Sequence, residues 1–345
     1  ERTWDAIRAF DGEPAFAPGN VGNADLAPEV SHGLEGGFDL GLFEDRLGIE
    51  YTYYTQRTKD ALFRVRYPPS QGFLNTQLAN VAEIRNRGHE LALRGRLIDR
   101  AEFQWNARFN LSTNDNLVVS LGGQPPIDVA WSQWIREGYP AGAFFEDRYV
   151  LRDGQVVLVE DDYIGQPFPK YTFSIGSDFA IGRNITVSVL LDRKAGHHIS
   201  SSTTRWLSVD RVAAGEPFFD PADPSTARFE PGRPVGKWCL DPTDPIIEAT
   251  CNTDWSINRG NHIHPADSWR LREVGIRYQV PRSMLRHIRA SALTLSLSGR
   301  DVWRHQDYPG LEAEANFTTA NRLSNQSYFD TPIPRQFMAG VSVSF

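Results

Sequence analysis

FQWNARFNL, residues 103–111, decides the fold. Phe103, Trp105, Ala107, Phe109 and Leu111 share one side of an extended chain, and Gln104, Asn106, Arg108 and Asn110 share the other. Successive side chains of a strand point to opposite faces, so this is a ribbon with one oily and one strongly polar face. The pattern returns at 171–181, where Tyr171, Phe173, Ile175, Phe179 and Ile181 alternate with Thr172, Ser174, Gly176, Asp178 and Ala180. It returns again at 185–192, at 293–298 and at the end, where Phe337, Ala339, Val341, Val343 and Phe345 share one side. Weaker versions lie at 32–42, 46–57, 87–98 and 269–280, and no 3.6-residue periodicity of useful length competes. The count is about nine strands, and 142–163 holds room for one extra hairpin inside a long connection.

The connections alternate in length. Short ones are 43–46, 98–101, 182–184 and 281–289; long ones, rich in Pro, Gly, Asp, Asn and Trp, are 58–86, 114–169, 196–267 and 301–334. A soluble sandwich has no reason to gather its long loops at one end. A transmembrane barrel of the outer-membrane type does, with short periplasmic turns and long external loops. On this reading the strand ending at Leu42 descends, and the last strand leaves Phe345 at the periplasmic face. Single-chain bacterial barrels have an even number of strands, so an odd count that begins with a descending strand predicts earlier strands. The opening ERTWDAIRAFDGEP carries no charged n-region before an apolar core, so no signal peptide is read there and the chain is expected to start inside a longer one.

Composition agrees. The 345 residues are 40% hydrophobic and 23% charged, with mean hydropathy −0.42, which suits strands that hide lipid-facing residues among polar ones. No run approaches the ~18 apolar residues of a membrane-spanning helix. The net charge of −7 excludes a basic field for nucleic acid. Only Lys59, Lys170, Lys194 and Lys237 among the 36 basic residues are lysines, which fits genome composition or an arginine-lined lumen.

Several stretches resemble the later part of SusC/RagA-type TonB-dependent receptors: GNADLAPEVSHGLEGGFDL onward to TKDALF, LANVAEIRNRGHELAL, YIGQPFPKYTFSIG, DSWRLREVGIRYQVPRSML and LSGRDVWRHQDYPGLEAEA. They stand in that family's order from about residue 20 to Phe345. Two departures stand out: Asp301 where the family has Asn, and Leu311-Glu312-Ala313-Glu314 where it has Asp-Pro-Glu. The resemblance implies an all-β fold, the C-terminal portion of a roughly 22-stranded antiparallel transmembrane barrel around a plug. Residues 1–30 are then an external loop segment and 31–345 barrel strands and loops, with the plug and first barrel half absent. It further implies outer-membrane lipid around the wall, a SusD-like lipoprotein lid, TonB acting through the missing N-terminal region, and barrel-assembly machinery reading Phe345. The implied activity is import of oligosaccharides, peptides or similar nutrients, with no catalysis.

The residues that could carry chemistry have competing readings. Cys239 and Cys251 sit in one loop-like stretch, which fits a disulfide in an oxidising compartment; nearby His262 and His264 raise a metal reading without a zinc spacing. Asp153, Asp161 and Asp162 suit surface calcium or plain solvated charge. The adjacent pairs Glu146–Asp147 and Asp161–Asp162 point to opposite faces of a strand and make no acid–base pair. No G-x-S-x-G, H-E-x-x-H or phosphate loop appears, so no catalytic residue and no cofactor are expected. Tyr51, Tyr53, Trp105, Tyr171 and Tyr278 fit an interfacial girdle. Trp131, Trp134, Trp206, Trp238 and Trp255 are candidates for stacking on a sugar ring or for small local cores within the loops. Two rival assignments remain open: a secreted β-rich binding module such as a sugar-binding sandwich, and a small autonomous outer-membrane barrel with a structural or adhesive role.

Overall fold

The computed structural model describes residues 3–8, 12–20, 22–66, 76–130, 132–153, 155–205, 259–285, 290–314 and 325–345, with the single positions 68 and 70. A hairpin, β1 (Thr3–Arg8) and β2 (Pro14–Asn20), precedes the long meander strands β3 (Val30–Leu42), β4 (Leu47–Val65), β5 (Gln77–Arg100) and β6 (Phe103–Thr113). β7 (Asp115–Ser120) pairs back onto β5, and four strands follow before the chain returns to that sheet: β8 (Ile127–Ala130), β9 (Gln133–Ile135), β10 (Ala143–Arg152) and β11 (Gln155–Gly165). The rest comprises β12 (Tyr171–Ile181), β13 (Ile185–Ala195), β14 (His198–Ser201), β15 (Ile263–Pro265), β16 (Ser268–Gln279), β17 (Ala292–Gln306), β18 (Gln326–Ser327) and β19 (Gln336–Ser344).

The main sheet is an antiparallel meander in the order β3-β4-β5-β6-β12-β13-β16-β17-β19, with β7 extending along β5. That is the nine-strand wall the alternation predicts, and the extra hairpin at 142–163 is β10–β11. Register puts like with like: Phe109 faces Ile175 and Leu93, while Asn110 faces Ser174 and Ala92. The eleven residues of β6 and of β12 match what a tilted strand needs to cross the hydrocarbon layer.

No second sheet covers the oily face among the described residues. Phe38, Ile276, Leu297 and Val341 stand exposed on it, and Phe337 is 73% exposed. A sandwich would bury these side chains. Aromatics line the same face: Tyr51 bonds His89 at 2.8 Å, Trp105 stacks on Phe179, and Phe173 meets Trp269 edge-on. The sheet is also open, because the outer edges of β3 and β19 pair with no strand among the described residues. Unpaired backbone groups in hydrocarbon cost several kcal/mol each, so this sheet is a sector of a larger closed barrel and not a small barrel in itself.

The wall differs from expectation at its outer end. The stretch 58–86 is not one long loop: β4 runs to Val65 and β5 starts at Gln77. Register shifts between Thr58 and Leu62 and between Glu83 and Ile84, with Asp60 at φ 56°, scramble the alternation while the hydrogen-bond ladder continues. Likewise 114–169 holds five strands, and β17 continues to Gln306.

The long-loop end has a packed interior. Ala61, Val65, Ala79 and Ala82 of β4 and β5 pack with Val118, Leu121, Ile127 and Ile135. A four-stranded sheet β11-β10-β9-β8 and a three-stranded sheet β15-β14-β18 complete it, joined by small cores at Phe144–Ile164–Ile263 and Ile199–Ala266–Tyr308–Ala313. Residues 22–30 dock on β5 here, through Asn23 to Leu78 and Ala27 to Asn80.

Candidate functional site

The inward face of the wall is built from the polar members of each strand. Arg108 of β6 pairs with Asp178 of β12 at 3.0 Å, Arg94 of β5 pairs with Glu50 of β4, and Asn110 donates to Ser174 at 3.2 Å. Two hollows follow: one of about 540 Å³ near the short turns, lined by Asp39, Glu50, Arg94, Arg96, Arg108 and Asp178, and one of about 370 Å³ further out, lined by Glu50, Glu90, Asn110, Ser174 and Asp192. These groups present hydroxyl, amide and charged donors and acceptors to whatever fills or passes the lumen.

The outer mouth is organised by a cluster of four cations and four carboxylates. Arg270 donates to Glu312 and lies 3.4 Å from Asp301; Arg272 reaches Asp192 at 2.7 Å, Asp301 at 3.3 Å and Glu314 at 2.5 Å. Arg304 donates to Glu312 at 2.8 Å, and Lys194 lies 3.0 Å from Glu314. The side chains of Arg270 and Glu312 are 3% and 1% exposed, so each needs the other: a buried charge is tolerated only when paired. Burial pushes the Glu314 carboxyl up, but Arg272, Lys194 and Arg270 outweigh it and hold the group at about 2. A register shift between Leu271 and Glu273 brings Arg270 and Arg272 to the inward side. Both departures from the family pattern, Asp301 and the Glu312–Glu314 stretch, fall in this one cluster. In the sequence they stand only as irregularities, because their partners, Arg270 and Arg272 of β16, Arg304 of β17 and Lys194 of β13, carry no local mark of the pairing.

The cluster fastens residues 307–314 over the wall. Gln306 donates to the carbonyls of Tyr308 and Gly310, and the Tyr308 hydroxyl donates to Ser201 at 2.9 Å. Beside it sit His197, His262 and His264, all buried, with His262 Nδ1 3.1 Å from the Thr204 hydroxyl. Burial draws His197 down to about 4 and His264 to about 3.

Of the loop aromatics, Trp134 is described: Arg136 lies 4.9 Å above its ring and 3.8 Å above Phe145, and it lines a cleft of about 300 Å³ with Arg64, Arg66, Gln124 and Asp128. Trp131, Trp206, Trp238, Trp255, Cys239 and Cys251 lie outside the described residues. Four of the acidic candidates are engaged by other groups. Asp161 accepts two bonds from Arg136 at 2.6 and 2.7 Å, which lower its pKa, and Asp162 accepts one from Arg148 at 2.6 Å. Glu146 accepts from Ser132, and Asp147 from the backbone of Asp161. Among the described residues no group of three or more His, Cys, Asp or Glu is placed to hold a metal. Tyr51, Tyr53, Trp105, Tyr171 and Tyr278 all lie on the outward rows, and Phe345 follows β19 at the short-turn side, 88% exposed.

Known proteins agree with this architecture. TonB-dependent receptor P3 of Formosa agariphila is 25% identical over 94% of this chain, which covers 35% of that receptor. TonB-dependent receptor SusC of Bacteroides thetaiotaomicron is 26% identical over 29% of this chain and 10% of its own length. The structure of the RagAB peptide transporter superposes over 100% of this chain and 38% of its own with a TM-score of 0.72 at 18% identity, a likeness of fold. The chain thus spans about a third of the length of the curated receptors it matches most fully. The family description "TonB dependent receptor-like, beta-barrel" matches residues 4–238, and the chain belongs to that family of outer-membrane barrels.

Proposed function

We propose that this chain forms the later wall, lumen face and outer mouth of an energised importer that works with a SusD-like lipoprotein and draws on TonB. The observation that carries the reading is the open nine-strand sector, oily outside and polar inside, with its elaborated loops at one end. Such a wall supplies a passage and a docking mouth; the moving part and the energy coupling belong to segments beyond it. The cargo class that fits the inward face is a hydroxyl- or amide-rich nutrient, an oligosaccharide or a peptide. We assign the chain no catalytic role, the loop tryptophans Trp131, Trp134, Trp206, Trp238 and Trp255 to ligand contact, Cys239 and Cys251 to one disulfide, and Phe345 to recognition during assembly.

The test uses the whole receptor in cells. Uptake of labelled oligosaccharides and of labelled peptides is measured with TonB intact and deleted, and the lipoprotein that purifies with the receptor is identified. TonB-dependent uptake of one class, with a co-purifying lipoprotein, is expected. Uptake unchanged by loss of either the receptor or TonB overturns the assignment. Phe345→Ala should lower the amount of receptor in the outer membrane, and thiol labelling under denaturing conditions should find no free cysteine.

A further inference from the structure

At the long-loop end of β4 and β5 the outward rows turn from oily to basic. Arg57 and Arg85 face each other directly across the two strands, and Arg87 follows on β5. Like charges placed directly opposite repel. Two carboxylates answer them: Glu83 pairs with Arg57, and Asp115 with Arg87 at 2.9 Å. Lys170, the residue before β12, carries its ammonium 5.8 Å from the Tyr171 ring centre and meets no carboxylate among the described residues.

A notch of about 430 Å³ opens beside these groups, lined by Tyr53, Arg87 with its partner Asp115, His89, Thr113, Lys170 and Tyr171. It forms where β5 leaves β6 at Glu90–Ser112 and takes up β7 from Arg87–Asp115. Tyr53 faces His89, and Thr113 faces Tyr171, so the notch belongs to the outward, lipid-facing rows and not to the lumen. The next outward row toward the short turns is Tyr51, Leu91, Leu111 and Phe173, an unbroken oily track.

We propose that the notch seats the anionic phosphate headgroup of a lipid in the leaflet around the long-loop end, with its acyl chains along that oily track. Guanidinium and ammonium match phosphate oxygens, and tyrosines belong at the boundary between oil and water. A free anion would satisfy the cations and leave the oily track uncovered; a phosphorylated amphiphile satisfies both. The site lies outside the lumen, so its occupancy does not depend on which nutrient is carried.

The whole receptor is placed in nanodiscs of phosphatidylcholine with a titrated fraction of lipid A, a phosphorylated glycolipid, and retained lipid is counted by native mass spectrometry. Wild type should retain lipid A over phosphatidylcholine. Each of Arg87→Gln and Lys170→Gln should weaken retention about fivefold, and the pair on the order of 25-fold. Arg183→Gln, in the turn at the opposite end, should leave it unchanged. Lys170→Gln removes no ion pair, so it remains informative if the Arg87 variant misfolds. Equal retention of the two lipids, equal retention by wild type and Lys170→Gln, or displacement of lipid A by millimolar inorganic phosphate overturns the proposal.

Discussion

The wall of this molecule and the packed long-loop end that caps it obey opposite rules. In β12 and β13 most apolar residues face outward, none of Phe173, Ile175, Val187 or Val189 is buried within the chain, and most polar residues face the interior of the barrel. In the cap, Phe144, Ile135, Leu121 and Ile199 are enclosed like the core of a soluble protein, and buried polar groups such as Gln133 and Glu312 are held by named partners. The same chain thus uses two solvents. Hydrocarbon supplies the missing half of the wall's packing, whereas the cap must supply its own. Stability of the wall should therefore depend on what surrounds it, and stability of the cap on what is inside it.

The sharpest way to break this contrast is Glu312→Ala. It leaves Arg270 and Arg304 facing each other without their shared carboxylate, at a cost of about 3–5 kcal/mol. Hydrogen exchange should accelerate in 307–314 and in β14–β15 while β12 and β13 keep their protection. Uniform loss of protection through the wall would mean that cap and wall are one cooperative unit. Next, Phe109→Arg places a charge on the lipid face at mid-strand and should cost about 2–4 kcal/mol in a vesicle unfolding titration, whereas Asn110→Arg, one residue on, should cost far less. Equal costs would erase the distinction between the faces.

Acid should loosen the cap before the wall. Burial keeps His197 at about 4 and His264 at about 3, below the ordinary 6.5, so the unfolded chain takes up these protons first. The stability this represents is whole above about pH 6.5 and is lost progressively as pH falls from there to about 4 for His197 and about 3 for His264. Exchange rates in 197–204 and 262–266, followed from pH 7 to 4, should rise while those of β6 stay level. The smallest effect belongs to Arg108→Gln. Its pair with Asp178 is largely exposed on the inward face, so the loss should lie within about 0–1 kcal/mol by the same titration.

Much of the wall was legible in the residues. The alternation at 103–111 and 171–181 reads correctly because a strand with one face in lipid and one in water needs no information beyond its own neighbours. The turns at 43–46 and 182–184 were equally plain, the latter with Gly182 at φ 59°. The outer parts of β4 and β5 were not, since register shifts and a left-handed Asp60 break period two without breaking the ladder. The mouth was harder still. Glu312 and Glu314 read as a departure from the family pattern, and nothing local shows that Arg270, some forty residues earlier, waits for them.

What the residues settle unaided is local: two-faced strands, short turns on one side, elaborated loops on the other, and hence a barrel sector in a membrane. What waited for the folded chain is which distant groups meet. Closing the ion cluster at the mouth, stacking Arg136 between Trp134 and Phe145, and opening the basic notch beside Tyr171 all bring together parts of the chain that no periodicity links. Side-chain alternation is set by the backbone within a few residues, but burial and charge pairing are set by register between strands, and register is a property of the assembled sheet.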